Sequence, residues 1–268
     1  MKRKARCILG LFLVAAIQIC SVNISIPVKA DMVENEEEYS FNGNSNITIS
    51  DEICTEYTGE HQWIKYEPKE DGYLKLSMAN ASALYKSTYV DGYLQLYDSS
   101  RKALTSSKYY STKYKKAYYR SVCYGMNKDE TYYIKLDTRG GTKITATYTK
   151  IKDTGGAEKE KAKTFKKKKT VTDYICAGSK KAKYYKVKLS KAKKISCSFT
   201  GYMDGPVKVT IMKAGMRDVS RTFHTEYSSN YGYKYNWTVK KKVKAGIYYI
   251  CVEPQRKTTA GYFKLKMN

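Results

Sequence analysis

Thr131-Tyr132-Tyr133-Ile134-Lys135-Leu136 returns 116 residues later as Ile247-Tyr248-Tyr249-Ile250-Cys251-Val252. In the first copy Tyr132, Ile134 and Leu136 recur at period two, the spacing of one strand face. Both copies sit in the same order among similar neighbours, which makes the chain a tandem of two related β-domains. Trp63-Ile64-Lys65-Tyr66 alternates, and Gly72 precedes Leu74, Leu76 and Met78 at period two. Asp91-Gly92 reads as a turn leading into Leu94 and Leu96, and Arg139-Gly140-Gly141 turns into Ile144, Ala146 and Tyr148. The second copy retraces this with Tyr185 and Val187, then Ile195, Cys197 and Phe199, then the Asp204-Gly205 turn before Val207 and Val209, and lastly Phe263, Leu265 and Met267. Short alternating strands between turn residues specify an all-β fold of two sandwiches, because each strand needs a second sheet to bury its apolar face.

The boundaries follow from composition. Lys2, Arg3, Lys4 and Arg6 precede an apolar run from Ile8 to Ile19, and Val28-Lys29-Ala30 supplies small residues for cleavage, so 1–30 reads as a secretory signal peptide. The apolar run falls short of the roughly 20 residues a spanning helix needs, so no membrane span is expected. Residues 31–46, with Glu34, Glu36, Glu37 and Glu38, read as an acidic, polar, solvated arm. The first sandwich is expected over 47–150, a Lys/Glu-rich linker over 151–169, and the second sandwich over 170–268. The chain carries 28 tyrosines, four prolines and two histidines, a composition that suits half-wet strand surfaces. A formal charge of +25 predicts attraction to polyanions without naming one.

Beyond Ala30 lie Cys54, Cys123, Cys176, Cys197 and Cys251. Secretion permits disulfides, and an odd count leaves at least one thiol free or paired between chains. Cys54 with Cys123 is the pairing open to the first copy. The second copy has three choices, with a preference for Cys176 with Cys251. Cys197 falls on the core face and is the candidate unpaired thiol, whereas Cys251 falls on the outward face. No C-x-x-C spacing supports a zinc site, so no metal site is expected. No cofactor is implied; calcium on the acidic arm is the one ion considered, and the EF-hand pattern is absent.

With those residues in view, each copy resembles the bacterial pre-peptidase C-terminal domain. The resemblance rests on Trp63 to Tyr66 and Tyr184 to Val187, on Gly72-Tyr73-Leu74-Lys75-Leu76, on Leu94-Gln95-Leu96-Tyr97-Asp98-Ser99-Ser100, and on the late Tyr-Tyr-Ile strands. The second copy departs from it, with Lys191-Ala192-Lys193-Lys194 in place of the Gly-containing turn and no Tyr-Asp-Ser after Val209. The resemblance implies two tandem jelly-roll-like β-sandwich domains, similar in fold to the collagen-binding domains of clostridial collagenases, on a secreted bacterial protein. Such domains accompany secreted enzymes, and no catalytic domain remains here to accompany.

Catalytic motifs are missing from the sequence. No G-x-S-x-G elbow, H-E-x-x-H or phosphate-cradling Gly-rich loop occurs, and His61 and His224 read as surface histidines. The stretch from Arg101 to Ser121 is richer. Arg101, Lys108, Lys113, Lys115, Lys116 and Arg120 interleave with Tyr109, Tyr110, Tyr114 and Tyr118, and the second copy offers Tyr231, Tyr233 and Tyr235. Aromatic faces stack on sugar rings, and Lys and Arg hold phosphates or sulfates. The expected function is non-catalytic binding by a secreted protein, extracellular or associated with the bacterial cell surface or matrix. Its ligand would be an anionic cell-wall polymer, a glycan or a fibrous extracellular matrix protein, with no specific nucleic acid. The alternative is an accessory or assembly module that binds a specific protein partner of a secreted enzyme system, and a secreted hydrolase is the third reading.

Overall fold

A computed structural model of the chain describes residues 38–41, 45–48, 62–80, 89–113, 120–138, 142–152, 155–215, 223–224 and 233–268. The expected signal peptide (1–30), Cys54, His61, Tyr114, Lys115, Lys116, Tyr118 and Tyr231 lie outside these residues. All regular elements among the described residues are strands. Those of the first half are β1 (Glu38–Phe41), β2 (Ser45–Thr48), β3 (Gln62–Tyr66), β4 (Gly72–Asn80), β5 (Tyr89–Tyr97), β6 (Lys108–Lys113), β7 (Arg120–Met126), β8 (Tyr132–Thr138) and β9 (Thr142–Lys150). The second half adds β10 (Lys163–Thr164), β11 (Thr170–Ile175), β12 (Lys183–Leu189), β13 (Lys193–Asp204), β14 (Val207–Lys213), β15 (Phe223–His224), β16 (Tyr233–Val243), β17 (Gly246–Pro254) and β18 (Ala260–Met267).

The strands form two five-stranded and two four-stranded sheets. In the first half the orders are β1-β3-β8-β5-β6 and β2-β9-β4-β7. In the second they are β10-β12-β17-β14-β15 and β11-β18-β13-β16, which is the first pattern with every label advanced by nine. Each half encloses its own core. Ile64, Leu74, Leu76, Leu94, Leu96, Tyr132, Ile134 and Leu136 fill the first, and Val187, Ile195, Cys197, Phe199, Val209, Ile250, Phe263 and Leu265 fill the second. Period-two alternation sends these side chains inward from both sheets, which is why the apolar rows of the sequence become the two cores.

Three expectations from the sequence are corrected. Residues 31–46 do not end as a solvated arm: β1 pairs in parallel with β3 (Tyr39 with Ile64), and β2, which begins at Ser45, pairs with β9. An edge strand gains its place from backbone hydrogen bonds, so a polar sequence does not exclude it. Residues 151–169 are not a free linker, because β10 pairs in parallel with β12 and Phe165 is buried in the second core. Asp91-Gly92 is no turn; both lie inside β5, with Gly92 opposite buried Tyr110. A ring across from a glycine covers bare backbone and keeps the strand continuous. Asp204-Gly205 does turn, and Gly205 takes a φ of 115° that favours glycine.

The halves share an interface. Gly125 of β7 bridges Cys176, and Ala177 N–H donates to the Gly125 carbonyl at 3.1 Å. A Cβ on Gly125 would collide with the Ile175 carbonyl, so this approach demands glycine. Tyr73 of the first half stacks on Tyr262 of the second with centroids 4.0 Å apart, and Tyr202 stacks on Tyr262 at 4.8 Å. Lys108 Nζ reaches Asp204 Oδ1 at 2.6 Å.

Candidate ligand-binding face

The first five-stranded sheet has an inner face made of Ile64, Leu94, Leu96, Ile134 and Leu136, so residues one step out of phase point outward. Those residues are Trp63 on β3, Tyr133 and Lys135 on β8, and Tyr93, Gln95 and Tyr97 on β5. Tyr109 of β6 pairs directly with Tyr93, with ring centroids 5.3 Å apart and planes at 57°. Tyr93 is 49% exposed and Tyr109 47%, and they are the large hydrophobic side chains exposed among the described residues. Two rings held side by side in water form a platform rather than a core.

The other end of the same face is an aromatic cluster capped by a cation. Trp63 meets Tyr97 edge-on at 5.1 Å and Tyr133 edge-on at 6.2 Å. The Arg101 guanidinium lies 4.6 Å from the centroid of Trp63 and 5.3 Å from that of Tyr133. Arg101 adopts a φ of 57°, a left-handed conformation that costs a non-glycine residue about 1–2 kcal/mol. The loop offsets that cost through Asp98. One carboxylate oxygen accepts from Ser100 N–H (2.9 Å), Ser100 Oγ (2.7 Å) and Lys102 N–H (2.9 Å), while Arg101 N–H donates to the Asp98 carbonyl. The Ser100 hydroxyl, with help from the two backbone N–H groups, holds the Asp98 carboxyl below its usual range.

Asp98→Ala is therefore expected to destabilise the first half by about 1–2 kcal/mol and to release Arg101 from the rings. The sign with pH follows from the lowered pKa. The contribution is full above the ordinary value of 3.8 and disappears as pH falls through the folded-state value. Thermal melts of variant and parent should differ at pH 7 and converge in strong acid.

The sequence candidates divide unevenly over the structure. Tyr109 stands on the platform and Arg101 caps the Trp63 cluster. Tyr110 is a core residue, 1% exposed, and Lys108 is spent on Asp204, so neither belongs to a binding face. Lys113 is paired with Tyr89 at the end of β6, and Arg120 with Met78 at the start of β7. Tyr233 and Tyr235 of β16 are partners of Met203 and Gly201 on β13, far along the chain from the platform. His224 pairs with Lys208. Trp63, Tyr93, Tyr97, Tyr133 and Lys135 were not among the candidates. Their signal was present in Tyr93-Leu94-Gln95-Leu96-Tyr97, where the residues between the core leucines are aromatic or hydrogen-bonding.

Among the described residues the cysteines offer no nucleophile. Cys123, Cys176, Cys197 and Cys251 are free thiols, which overturns the preferred Cys176–Cys251 disulfide; Cys54, the partner expected for Cys123, lies outside the described residues. Cys176 packs against the Tyr132 hydroxyl of the first half, whereas Cys251 lies mid-strand on β17 opposite Tyr184. Burial pushes the Cys123 and Cys197 thiols up to about 12, and those of Cys176 and Cys251 up to about 11. Cys197 faces the core as its register required. Cys251 has the outward register but is buried, with Tyr184 against it and the Glu158–Lys161 turn alongside β12. Among the described residues no group of three or more His, Cys, Asp or Glu could hold a metal ion, and no helix is long and apolar enough to cross a membrane.

No family model matches the chain, and no characterised protein matches it in sequence. Similar solved structures include tripeptidyl peptidase 2, with a TM-score of 0.30 and 6% identity over 83% of this chain and 22% of that one. The tandem CBM22-1-CBM22-2 domain of Xyn10C from Paenibacillus barcinonensis gives a TM-score of 0.23 and 11% identity over 74% of this chain and 78% of that one. The M60 catalytic domain with two CBM51 domains of ZmpB from Clostridium perfringens gives 0.24 and 10% over 78% and 33%. At these TM-scores the likeness has no functional meaning. The chain spans about a fifth, 22%, of the peptidase's length.

Proposed function

We propose that the chain is a secreted, extracellular, non-catalytic binding protein whose first half holds a glycan on the outer face of its five-stranded sheet. The resemblance of each copy to pre-peptidase C-terminal domains agrees with that setting. The observation that carries the reading is the exposed Tyr93–Tyr109 pair, the large hydrophobic side chains exposed among the described residues. A sugar ring has an apolar C–H surface and a hydroxyl edge. Tyr93 and Tyr109 cover the first, and Lys135 and Asp137, which share the face, meet the second. Arg101 adds a cation at the far end, which suits a glycan bearing acidic substituents.

The test is depletion of the protein from solution by insoluble polysaccharides: cellulose, chitin, and bacterial peptidoglycan stripped of its anionic polymers. The parent is expected to pellet with at least one. Tyr93→Ala and Tyr109→Ala should each weaken binding about tenfold, equivalent to about 1.4 kcal/mol. Tyr249→Ala, on the outer face of the second five-stranded sheet, should leave it unchanged. Equal pelleting by the Tyr93→Ala/Tyr109→Ala double variant, or none by the parent, overturns the proposal.

A further inference from the structure

The outer face of the second four-stranded sheet has a different chemistry. Core residues Ile195, Cys197 and Phe199 fix the register of β13, so Lys194, Ser196, Ser198 and Thr200 face outward. Across from them on β16 stand Lys242, Lys240, Thr238 and Asn236. On the other side β18 contributes Lys266 and Lys264, flanked on β11 by Thr170 and Thr172. Lys194, Lys240, Lys242, Lys264 and Lys266 are all exposed. None of the five has an ion-pair partner among the described residues, and Lys194 stands directly opposite Lys242. Like charges in direct register cost stability, so the fold bears a repulsion here that a single acidic residue would remove. Asp204, the one carboxylate on β13 in phase with this face, is buried against Lys108 at the interface.

We infer that this face is a second binding site, for a flexible linear phosphodiester polymer. Lys, Ser, Thr and Asn are the side chains that contact phosphate groups without reading what lies between them. Same-face residues stand about 6.8 Å apart along a strand, and adjacent strands about 4.8 Å apart, so the lysines form a grid that several phosphates engage at once. Tyr174, Tyr202 and Tyr262, the aromatics in phase with the face, lie at its interface end, where Tyr202 and Tyr262 are stacked on each other and on Tyr73. Rings so engaged offer no platform to a base, whereas proteins that hold single-stranded nucleic acid combine charge with stacking. The polymer is therefore of the polyol-phosphate kind, recognised by its backbone. This site is separate from the Tyr93–Tyr109 face and does not depend on that reading.

The experiment measures binding of the full chain to purified poly(glycerol phosphate) across a salt series, beside single-stranded DNA of equal charge and a neutral polysaccharide. Neutralising five lysines on a flexible strand gives a slope of log K against log salt of roughly −3.5, at about 0.7 per charge. The Lys194→Gln/Lys240→Gln/Lys242→Gln/Lys264→Gln/Lys266→Gln variant is expected to bind at least tenfold more weakly and to lose most of that slope. A variant of equal net charge, with Lys152, Lys180, Lys181, Lys213 and Lys257 changed to Gln, should stay within about twofold of the parent. Should the first variant fold poorly, Lys264→Gln/Lys266→Gln alone should still reduce the slope by about 1.4. The inference is overturned by no binding to poly(glycerol phosphate), by an equal loss in the charge-matched variant, or by DNA binding more than tenfold tighter. None of these bears on the tyrosine variants, so failure here and failure of the glycan reading are separable.

Discussion

Lys108→Ala is expected to lower the unfolding free energy by about 3–5 kcal/mol, far more than any surface lysine of this basic chain would. The Lys108–Asp204 pair crosses the interface between the halves, and the two side chains are 16% and 7% exposed. Asp204 Oδ2 is buried without a hydrogen-bond partner among the described residues. Burial pushes the Asp204 carboxyl above its usual range even though Lys108, the one opposing influence, pulls it down. Removing the lysine leaves an uncompensated carboxylate in a closed interface, which is the costly way to break an ion pair. Lys108→Met with Asp204→Leu should recover most of the loss, because the pair as a whole is worth little against apolar packing.

The pH dependence gives the same test a sign. A carboxyl whose folded pKa is raised binds its proton more tightly when folded, so its contribution to stability falls as pH rises from the ordinary 3.8 through the folded value. Without Lys108 that folded value rises further. The variant's deficit should be largest at neutral pH and shrink as acid protonates Asp204, which urea unfolding at pH 7 and pH 4.5 would show. A constant deficit across that range would mean that lost packing, not the stranded charge, is responsible.

The second large effect is expected at Asp173, which is fully buried and better satisfied. Its Oδ2 accepts from Tyr185 Oη at 2.5 Å and Gly155 N–H at 2.6 Å, and its Oδ1 accepts from Tyr174 N–H at 2.8 Å with Lys183 Nζ 3.6 Å away. Burial still outweighs these partners and raises its pKa. Asp173→Ala orphans Tyr185 Oη, the Gly155 N–H and the Lys183 charge together, at a cost of about 3–5 kcal/mol. The loss should be local first, because Gly155 is where the segment between the halves is pinned to the second core. Trypsin should then cut after Lys159 and Lys161 in the variant well before it cuts the parent. Unchanged cleavage with a lowered melting temperature would place the damage in the core alone.

Period two was enough to read the cores. Every apolar row named from the sequence, from Trp63–Tyr66 to Phe263–Met267, lies in the strand assigned to it, because inward positions in a sandwich tolerate little else. What escaped were features whose cause is not periodic. β1 and β10 are parallel edge strands that receive their partners from far along the chain, so Glu38 and Lys163 look like solvated polar residues. The basic, tyrosine-rich run from Arg101 reads in sequence as one patch, whereas the fold distributes Lys108, Tyr109 and Tyr110 to an interface, a platform and a core. Lys108 illustrates the limit. A lysine that pairs with Asp204, 96 residues away, has the same local signature as one that binds a ligand.

The buried thiols of Cys123, Cys197 and Cys251 give the protein a built-in record of its own opening. With burial pushing the Cys123 and Cys197 thiols up to about 12, both stay protonated at pH 7, and neither is open to solvent. An alkylating reagent therefore gains access to them when the surrounding strands separate, and it leaves a permanent mark each time. Cys197 reports on the second core and Cys123, beside Tyr262 of the second half, on the seam between the halves, so the order in which the two are labelled is the order in which this molecule comes apart.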